Sequence, residues 1–245
     1  MIDYKQAQRL LLDRARSQNT ERRPRIALLT TGDEVVPIAA APNNAQIRNS
    51  NRWLIDAALQ KSGFNLDAFD HSADDPMILK EKIAGLLSYD VLILCGGVSA
   101  GDADHVPATL EALGVNKIFH KLAIKPGKPV WCGTTGGCMI FALPGNPLAC
   151  LVNFILLIQP YLLACTGVQP NEPLGLPMGA SRKKRPALDE FFPVHLHGTP
   201  ARVVPVSING SGDIRLGMQA NALALHPAGC DHLAEGTPVL CYSFI

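Results

Sequence analysis

Short apolar runs that end in glycine-containing polar loops constrain the fold of this 245-residue chain more than any other feature. The clearest run is Asp90-Val-Leu-Ile-Leu-Cys95, which leads directly into Gly96-Gly97. The run Arg25-Ile-Ala-Leu-Leu-Thr30 has the same form and leads into Thr31-Gly-Asp-Glu34. Because strands that are apolar on both faces are typical of parallel sheets covered by helices on both sides, these runs predict such a sheet.

Segments with helical spacing alternate with the apolar runs. Helices are predicted over residues 4–17, 49–62, 74–87 and 105–113 and from Asn146 onward, and further strands over 64–69, 117–124, 130–132 and 139–143. This alternation predicts an α/β domain with a doubly wound, mostly parallel sheet over residues 24–168, preceded by an N-terminal helix and linker over residues 1–23.

The pattern changes after Gly167, where prolines and glycines separate short β-rich runs. These runs cover residues 191–196, 201–208, 222–226 and 238–244, with a turn at Asn209-Gly-Ser-Gly-Asp213 between two of them. They predict a small all-β domain over residues 169–245. The basic run Arg182-Lys-Lys-Arg185 has no interleaved aromatic residue, so we interpret it as a solvated surface segment.

Composition argues against several classes of protein. A net charge of +1 gives no basic field that would gather nucleic acid. The most apolar stretch, residues 148–164, contains polar residues and Pro160, which predicts a buried helix, kinked or ended near Pro160, and no membrane span. The N-terminus lacks the apolar core of a secretory signal. Seven cysteines without a CxxC pair are typical of buried, reduced thiols in a cytoplasmic protein.

Two proline-glycine loops point to anion binding. Lys125-Pro-Gly-Lys-Pro129 is a stiff turn that carries two cations. Leu143-Pro-Gly-Asn-Pro147 ends in Asn-Pro, the pair expected at a helix N-cap and first turn. Cations beside the free N–H groups of a helix N-terminus favour a bound phosphate or other oxyanion.

A third loop, Gly96-Gly-Val-Ser-Ala-Gly101, follows a predicted strand and precedes a predicted helix. Its glycines allow close approach of the backbone to a ligand, and Ser99 can donate to a phosphate oxygen. The loop is neither a Walker sequence nor GxGxxG, so neither an ATPase nor an ordinary dinucleotide enzyme is supported. A plain glycine-rich turn is an equal alternative.

Carboxylates accompany these loops. Asp33-Glu34 follows the first strand, and Asp102 and Asp104 follow the glycine loop. They suit a magnesium ion beside phosphate, although Asp104 is also a candidate helix cap. The segment Asn49-Ser-Asn51 is either an N-cap or a ligand contact. Since ligands bind at the carboxyl ends of parallel strands, we expect the loops after the strands to converge on one edge. No histidine has a triad-like context.

Five motifs together resemble the MoeA-type molybdopterin molybdotransferases, and the C-terminal region of gephyrin is similar. They are Thr31-Gly-Asp-Glu34, Asn49-Ser-Asn51, the stretch from Gly96 to Asp104, Lys125-Pro-Gly-Lys-Pro129 and Leu143-Pro-Gly-Asn-Pro147. The resemblance covers residues 24–245, the β domain included. It implies insertion of molybdate into adenylylated molybdopterin with release of AMP, using Mg²⁺.

The resemblance also implies roles for individual residues. Glu34, Asp102 and Asp104 would be catalytic and hold the metal near the phosphates. The pocket for molybdopterin-AMP and molybdate would involve Thr31, Gly32, Asp33, Asn49, Ser50, Asn51, Gly96, Gly97, Val98, Ser99, Gly101, Lys125, Pro126, Gly127, Lys128, Pro144, Gly145, Asn146 and Pro147. The expected partners are these small molecules and either a second copy in a homodimer or a full-length relative, with neither nucleic acid nor membrane.

Two departures from the family pattern leave alternatives open. Relatives are much longer and carry two further domains before the α/β domain, which help build the site across a dimer; here the first helix is followed almost directly by Arg25. Because the sequence starts with Met, we expect a naturally short variant. Asn49 stands where many relatives have Asp. The alternatives are a non-catalytic molybdopterin-binding or delivery protein and a molybdopterin adenylyltransferase, which usually lacks the β domain.

Overall fold

The computed structural model describes residues 1–17, 22–98, 105–185, 187–208 and 219–244. Up to residue 143 the helices are α1 (Tyr4–Ser17), α2 (Ser50–Lys61), α3 (Pro76–Leu86) and α4 (Val106–Ala112). The strands of the same region are β1 (Ile26–Thr31), β2 (Val35–Val36), β3 (Ile47–Arg48), β4 (Ala68–Ser72), β5 (Val91–Cys95), β6 (Asn116–His120), β7 (Ile124–Lys125), β8 (Trp131–Thr135) and β9 (Cys138–Leu143).

The central sheet has six strands in the order β4-β1-β5-β9-β8-β6. The first four strands are parallel to one another. At the far edge β8 pairs antiparallel with β9, and β6 pairs antiparallel with β8. Strands β1, β5 and β9 are buried along their whole length, which confirms the expected mostly parallel sheet covered on both faces. One face, with Leu28 and Ile93, packs on α1 and α2, and the other, with Leu29 and Leu92, packs on α3 and α4.

Two predicted strands of the central sheet differ from the structure in more than the position of their ends. The strand predicted over residues 64–69 begins at Ala68, because Phe64 is instead buried in the core beneath α2 before the chain reaches the sheet. The single strand predicted over residues 117–124 divides into β6 and β7, because the chain turns at Lys121, which has a φ of 68°. Strand β7 then leaves the central sheet and pairs with the C-terminal region.

The last helix runs through Pro160 and does not end there. It comprises α5 (Pro147–Asn153), a π-helical turn (Phe154–Ile158) and α6 (Gln159–Cys165). Pro160 has no N–H for the carbonyl of Leu156, four residues earlier, and the wider π turn accommodates this interruption. The side-chain amide of Gln8 on α1 donates to that carbonyl at 2.8 Å. The interruption in the last helix is therefore also a docking point for α1.

The same helix is long and apolar enough to cross a membrane by length and composition alone. However, 72% of its most apolar window is buried inside the molecule. This is the pattern of a core helix, as the sequence predicted.

The C-terminal region is a small antiparallel β structure. Its strands are β10 (Leu174–Pro177), β11 (Arg182–Lys183), β12 (Asp189–His197), β13 (Arg202–Pro205), β14 (Ala222–His226), β15 (His232–Leu233) and β16 (Pro238–Ser243). The main sheet has the order β10-β16-β14-β12-β13, and β7 adds to β12 in parallel. The predicted turn at residues 209–213 lies outside the described residues.

Helix α1 joins the two parts of the molecule. The hydroxyl of Tyr4 lies 3.1 Å from that of Tyr242, and the ring of Tyr4 meets that of Phe191 edge-on at 5.2 Å. Ala7 and Leu11 are buried in the same core as β1. The N-terminal helix thus packs against both the α/β and the β region.

Candidate functional site

A polar cavity of about 330 Å³ opens at the carboxyl ends of β1 and β5. Three of the predicted loops meet there, after β1, after β5 and before α5, together with the start of α2. The predicted residues that line it are Thr31, Gly32, Glu34, Asn49, Ser50, Asn51, Gly96, Gly97, Gly145 and Pro147. The expected convergence of these loops on one edge of the sheet is therefore present in the structure.

A chain of hydrogen bonds fixes one side of the cavity. Asn49 donates from Nδ2 to Oγ1 of Thr30 at 2.8 Å, and Thr30 Oγ1 lies 2.9 Å from Nδ1 of His71. The Asn49 carbonyl oxygen accepts from the backbone N–H of Arg52 and so caps α2. Both polar ends of Asn49 are thus engaged within the protein, which favours the N-cap interpretation of this residue.

Gly96 is required by the close approach of two loops. It has a φ of 109°, and a Cβ added to it would lie 2.5 Å from Oγ1 of Thr31. The Thr31 hydroxyl is buried and has no hydrogen-bond partner within the part of the chain that the structure describes. A buried hydroxyl beside bare backbone at a cavity wall is well placed to bond a ligand.

Two helix N-termini face the same space. Asn49 caps α2 and Asn146 caps α5, whose first residue is Pro147, as the sequence predicted. The side-chain amide of Asn51 donates to the carbonyl of Gly145 at 2.7 Å and so holds the two helix starts together. The partial positive charge of two helix N-termini favours an anion between them.

Charged side chains of both signs line the cavity. Arg48 adds a guanidinium, and Glu34 and Asp74 add carboxylates. Asp74 is held by Asp33: each carboxylate accepts the other residue's backbone N–H, at 3.1 and 3.3 Å. Mg²⁺ is usually bound in proteins by one or two carboxylates together with phosphate and water oxygens, so Glu34 and Asp74 fit this ion. Within the described ranges, no group of three or more His, Cys, Asp or Glu residues forms a closed metal cage.

Several predicted site residues lie elsewhere. Val98 is buried in the core beneath α4 and is not part of the cavity wall. The loop of Lys125, Pro126, Gly127 and Lys128 packs on α5 through Asn153, whose amide donates to the Gly127 carbonyl at 3.2 Å, and both lysines are exposed. Pro144 and Asn146 flank Gly145 of the cavity wall. The Pro144 carbonyl accepts a hydrogen bond from the Cys150 thiol, and the Asn146 side chain caps α5. Ser99, Gly101, Asp102 and Asp104 lie outside the described residues.

Several residues at or near the cavity are not predicted from the sequence, and three of them are polar or charged side chains with a clear part in its structure. The sequence indicates Asp74 only as part of a helix start, although this residue follows β4, the neighbour of β1 in the sheet. Arg48 immediately precedes the Asn49-Ser-Asn51 motif, and a basic residue beside this predicted ligand contact is the feature of the sequence that indicates it. The sequence indicates no role for His71, but its ring takes part in the hydrogen-bond chain through Thr30.

Comparison with known proteins identifies the family and the fold of this chain. The family described as "Probable molybdopterin binding domain" matches residues 27–164, and "MoeA C-terminal region (domain IV)" matches residues 176–244. The molybdopterin molybdenumtransferase of Synechococcus elongatus is 37% identical over 87% of this chain, and that of a Synechocystis species is 34% identical over 79%. A solved molybdopterin biosynthesis MoeA protein from Pyrococcus horikosii superposes with a TM-score of 0.79 at 30% identity, covering 91% of this chain and 55% of its own. The chain spans 54% and 48% of the two curated relatives' lengths, about half in each case.

Proposed function

This chain belongs to the MoeA-type molybdopterin molybdenumtransferase family, and we propose that it inserts molybdate into adenylylated molybdopterin with release of AMP. The observation that carries the proposal is the polar cavity, where two helix N-termini and Arg48 face Glu34 and Asp74. Molybdate and the phosphoanhydride of the adenylate are both anionic. A site that pairs donors with carboxylates can hold such groups together with a divalent cation.

In this proposal the residues of the chain bind and orient the substrates, and none forms a covalent bond to them. The side-chain carbonyl of Asn51, which has no partner among the described residues, can accept a hydrogen bond from an N–H or O–H of the substrate. Arg48, the N–H groups at the start of α2 and the Thr31 hydroxyl donate to phosphate oxygens. Such preorganised donors stabilise the charge that develops as the phosphoanhydride breaks.

The proposed metal ion is Mg²⁺, held by Glu34 and Asp74. Asp102 and Asp104, which follow Gly97 in the sequence and lie outside the described residues, stay as ligands predicted from the sequence. A bound Mg²⁺ would neutralise charge on the phosphate oxygens and the leaving AMP. We expect Asp102→Asn to lower turnover more than pterin binding, whereas an equal loss of both would indicate a purely structural aspartate.

A second candidate is a non-catalytic molybdopterin-binding or delivery protein in the cytoplasm, acting as a homodimer or with a full-length relative. The matched region covers 54% and 48% of the lengths of the two curated relatives, so the activity of the whole relatives is a proposal for this chain. The adenylyltransferase alternative is less favoured, because residues 176–244 match the MoeA C-terminal region.

Binding of molybdopterin-AMP, measured by calorimetry, tests the shared part of both candidates. Arg48→Ala should weaken binding about tenfold or more, with the loss reduced at high salt, because it removes a charge-assisted contact. Arg9→Ala is the matched control, since Arg9 is exposed on α1 and lies outside the cavity wall. Equal affinity of the Arg48 and Arg9 variants would contradict the placement of the substrate.

A further inference from the structure

Two thiols meet at the wall of the polar cavity. The Sγ atoms of Cys95 and Cys150 lie 3.8 Å apart. Cys95 is the last residue of β5, and Cys150 lies in the first turns of α5. The two elements that carry these thiols are the same ones whose ends form the cavity.

The two thiols differ in access. Cys95 lines the cavity, where a small molecule can reach it, although only 2% of its surface is exposed. Cys150 is fully buried and donates its S–H to the carbonyl of Pro144 at 2.9 Å. The Cys95 thiol beside it, together with burial, raises the pKa of the Cys150 thiol. An oxidant that enters the cavity therefore meets Cys95 first, with Cys150 directly behind it.

We propose that Cys95 and Cys150 form a reversible disulfide when the protein meets a hydroperoxide. The sulfur of Cys95 attacks the peroxide, the O–O bond breaks, and the products are a sulfenic acid on Cys95 and one water. The Cys150 sulfur then displaces the hydroxyl of the sulfenic acid, which leaves as a second water when it takes the Cys150 proton. Two thiols are oxidised by two electrons, and one hydrogen peroxide is reduced to two waters.

The geometry permits this bond with a small movement. A disulfide has an S–S length of about 2.05 Å, so the two sulfur atoms must approach by about 2 Å. Cys132 provides a contrast within the same core, because its sulfur also has a sulfur neighbour at 3.8 Å, but that neighbour is the thioether of Met139, which cannot form a disulfide. Of these two close sulfur pairs, only the one at the cavity wall consists of two thiols.

Oxidation would alter the cavity itself. The disulfide removes the hydrogen bond that the Cys150 thiol donates to the carbonyl of Pro144. Pro144 directly precedes Gly145, which lies in the cavity wall together with Pro147. It also draws the Cys95 sulfur toward α5. Formation of the Cys95–Cys150 disulfide does not depend on the proposed function, because the two thiols are oxidised or stay reduced whatever ligand the cavity binds.

The test uses the full chain with Cys230→Ser, since Cys230 is the partly exposed thiol and would otherwise react first. Removing one of the seven cysteines leaves six thiols. After treatment with hydrogen peroxide, thiol titration in denaturant should find four of these six, and peptide mapping should find a Cys95–Cys150 cross-link. Dithiothreitol should restore all six.

Matched variants in the same background separate the pair from general oxidation. Cys150→Ser should abolish the cross-link and leave a sulfenic acid on Cys95 that dimedone traps. Cys241→Ser, which removes a buried thiol of the β region, should leave the cross-link intact. If Cys150→Ser does not fold, Cys150→Ala and Cys95→Ala take its place. Thiols consumed elsewhere in a folded protein, with no Cys95–Cys150 peptide, would overturn the proposal.

Discussion

A buried histidine in the β region makes the stability of the protein sensitive to mild acid. Arg182 donates from Nη1 to Nδ1 of His226 at 2.8 Å and from Nη2 to Glu190 at 3.0 Å, and its guanidinium lies 4.0 Å from the centre of the Phe192 ring. His226 is completely buried. Burial, followed by the charges of Arg182 and Lys184, lowers the pKa of His226 from 6.5 to about 4, while Glu190 opposes the shift.

Acid destabilises the folded protein because His226 binds a proton at a higher pH in the unfolded chain than in the folded one. The unfolded chain takes up a proton on His226 near pH 6.5, but the folded protein does so only near pH 4. This contribution to stability is therefore complete above pH 6.5 and is lost as the pH falls from 6.5 toward 4. At about 1.4 kcal/mol per pKa unit, the loss is about 2 kcal/mol at pH 5 and about 3 kcal/mol below pH 4.

Urea unfolding at pH 7 and pH 5 measures this loss, with His226→Asn as the matched variant. An asparagine carbonyl can accept from Arg182 at the place of Nδ1 but does not titrate. The wild-type protein should lose about 2 kcal/mol more than the variant between the two pH values, since other titrating groups contribute equally to both. An equal loss in both proteins would refute the reasoning.

Three further predictions concern the cavity and α1. Gly96→Ala should cost more stability than Gly114→Ala and should also abolish ligand binding. Both glycines have positive φ, which costs an alanine about 1–2 kcal/mol, but only at Gly96 would the added Cβ also clash with a neighbouring residue. Equal stabilities of the two variants in urea unfolding would contradict this. Gln8→Leu should lower the free energy of unfolding by about 1–3 kcal/mol, because it leaves a carbonyl of the last helix without its donor. Gln6→Leu, on the exposed side of α1, should change it by less than about 0.5 kcal/mol. Similar unfolding midpoints for the two variants would count against the docking of α1. Asn49→Ala should lower the free energy of urea unfolding by about 1–2 kcal/mol, because it removes the cap of α2 and the hydrogen bond to Thr30. A change below about 0.5 kcal/mol would show that neither bond matters.

Local chemistry accounts for the elements that the sequence predicted well. Val91–Cys95 is recognisable as a buried strand because every residue in it is apolar. The start of the last helix follows from Asn146-Pro147, since asparagine caps the helix and proline suits its first turn. The convergence of the loops follows from the general geometry of parallel sheets. The functional prediction depended on the family resemblance and not on these elements alone.

The elements that could not be predicted depend on long-range neighbours. Asp74 enters the cavity only because β4 lies beside β1, and neighbouring segments give no sign of this strand order. Lys125 and Lys128 suggested a cavity contact by their charge, but Gly127 packs on Asn153 and places the loop on α5. Val98 shares a motif with the cavity glycines, yet its side chain points into the core. In each case tertiary packing decided the position.

The most direct measurement of the central claim is the release of AMP from adenylylated molybdopterin by this chain in the presence of Mg²⁺, with and without molybdate. The account predicts release that molybdate stimulates and that Arg48→Ala reduces. A folded protein that binds neither molybdopterin-AMP nor molybdate, and releases no AMP under either condition, would contradict it.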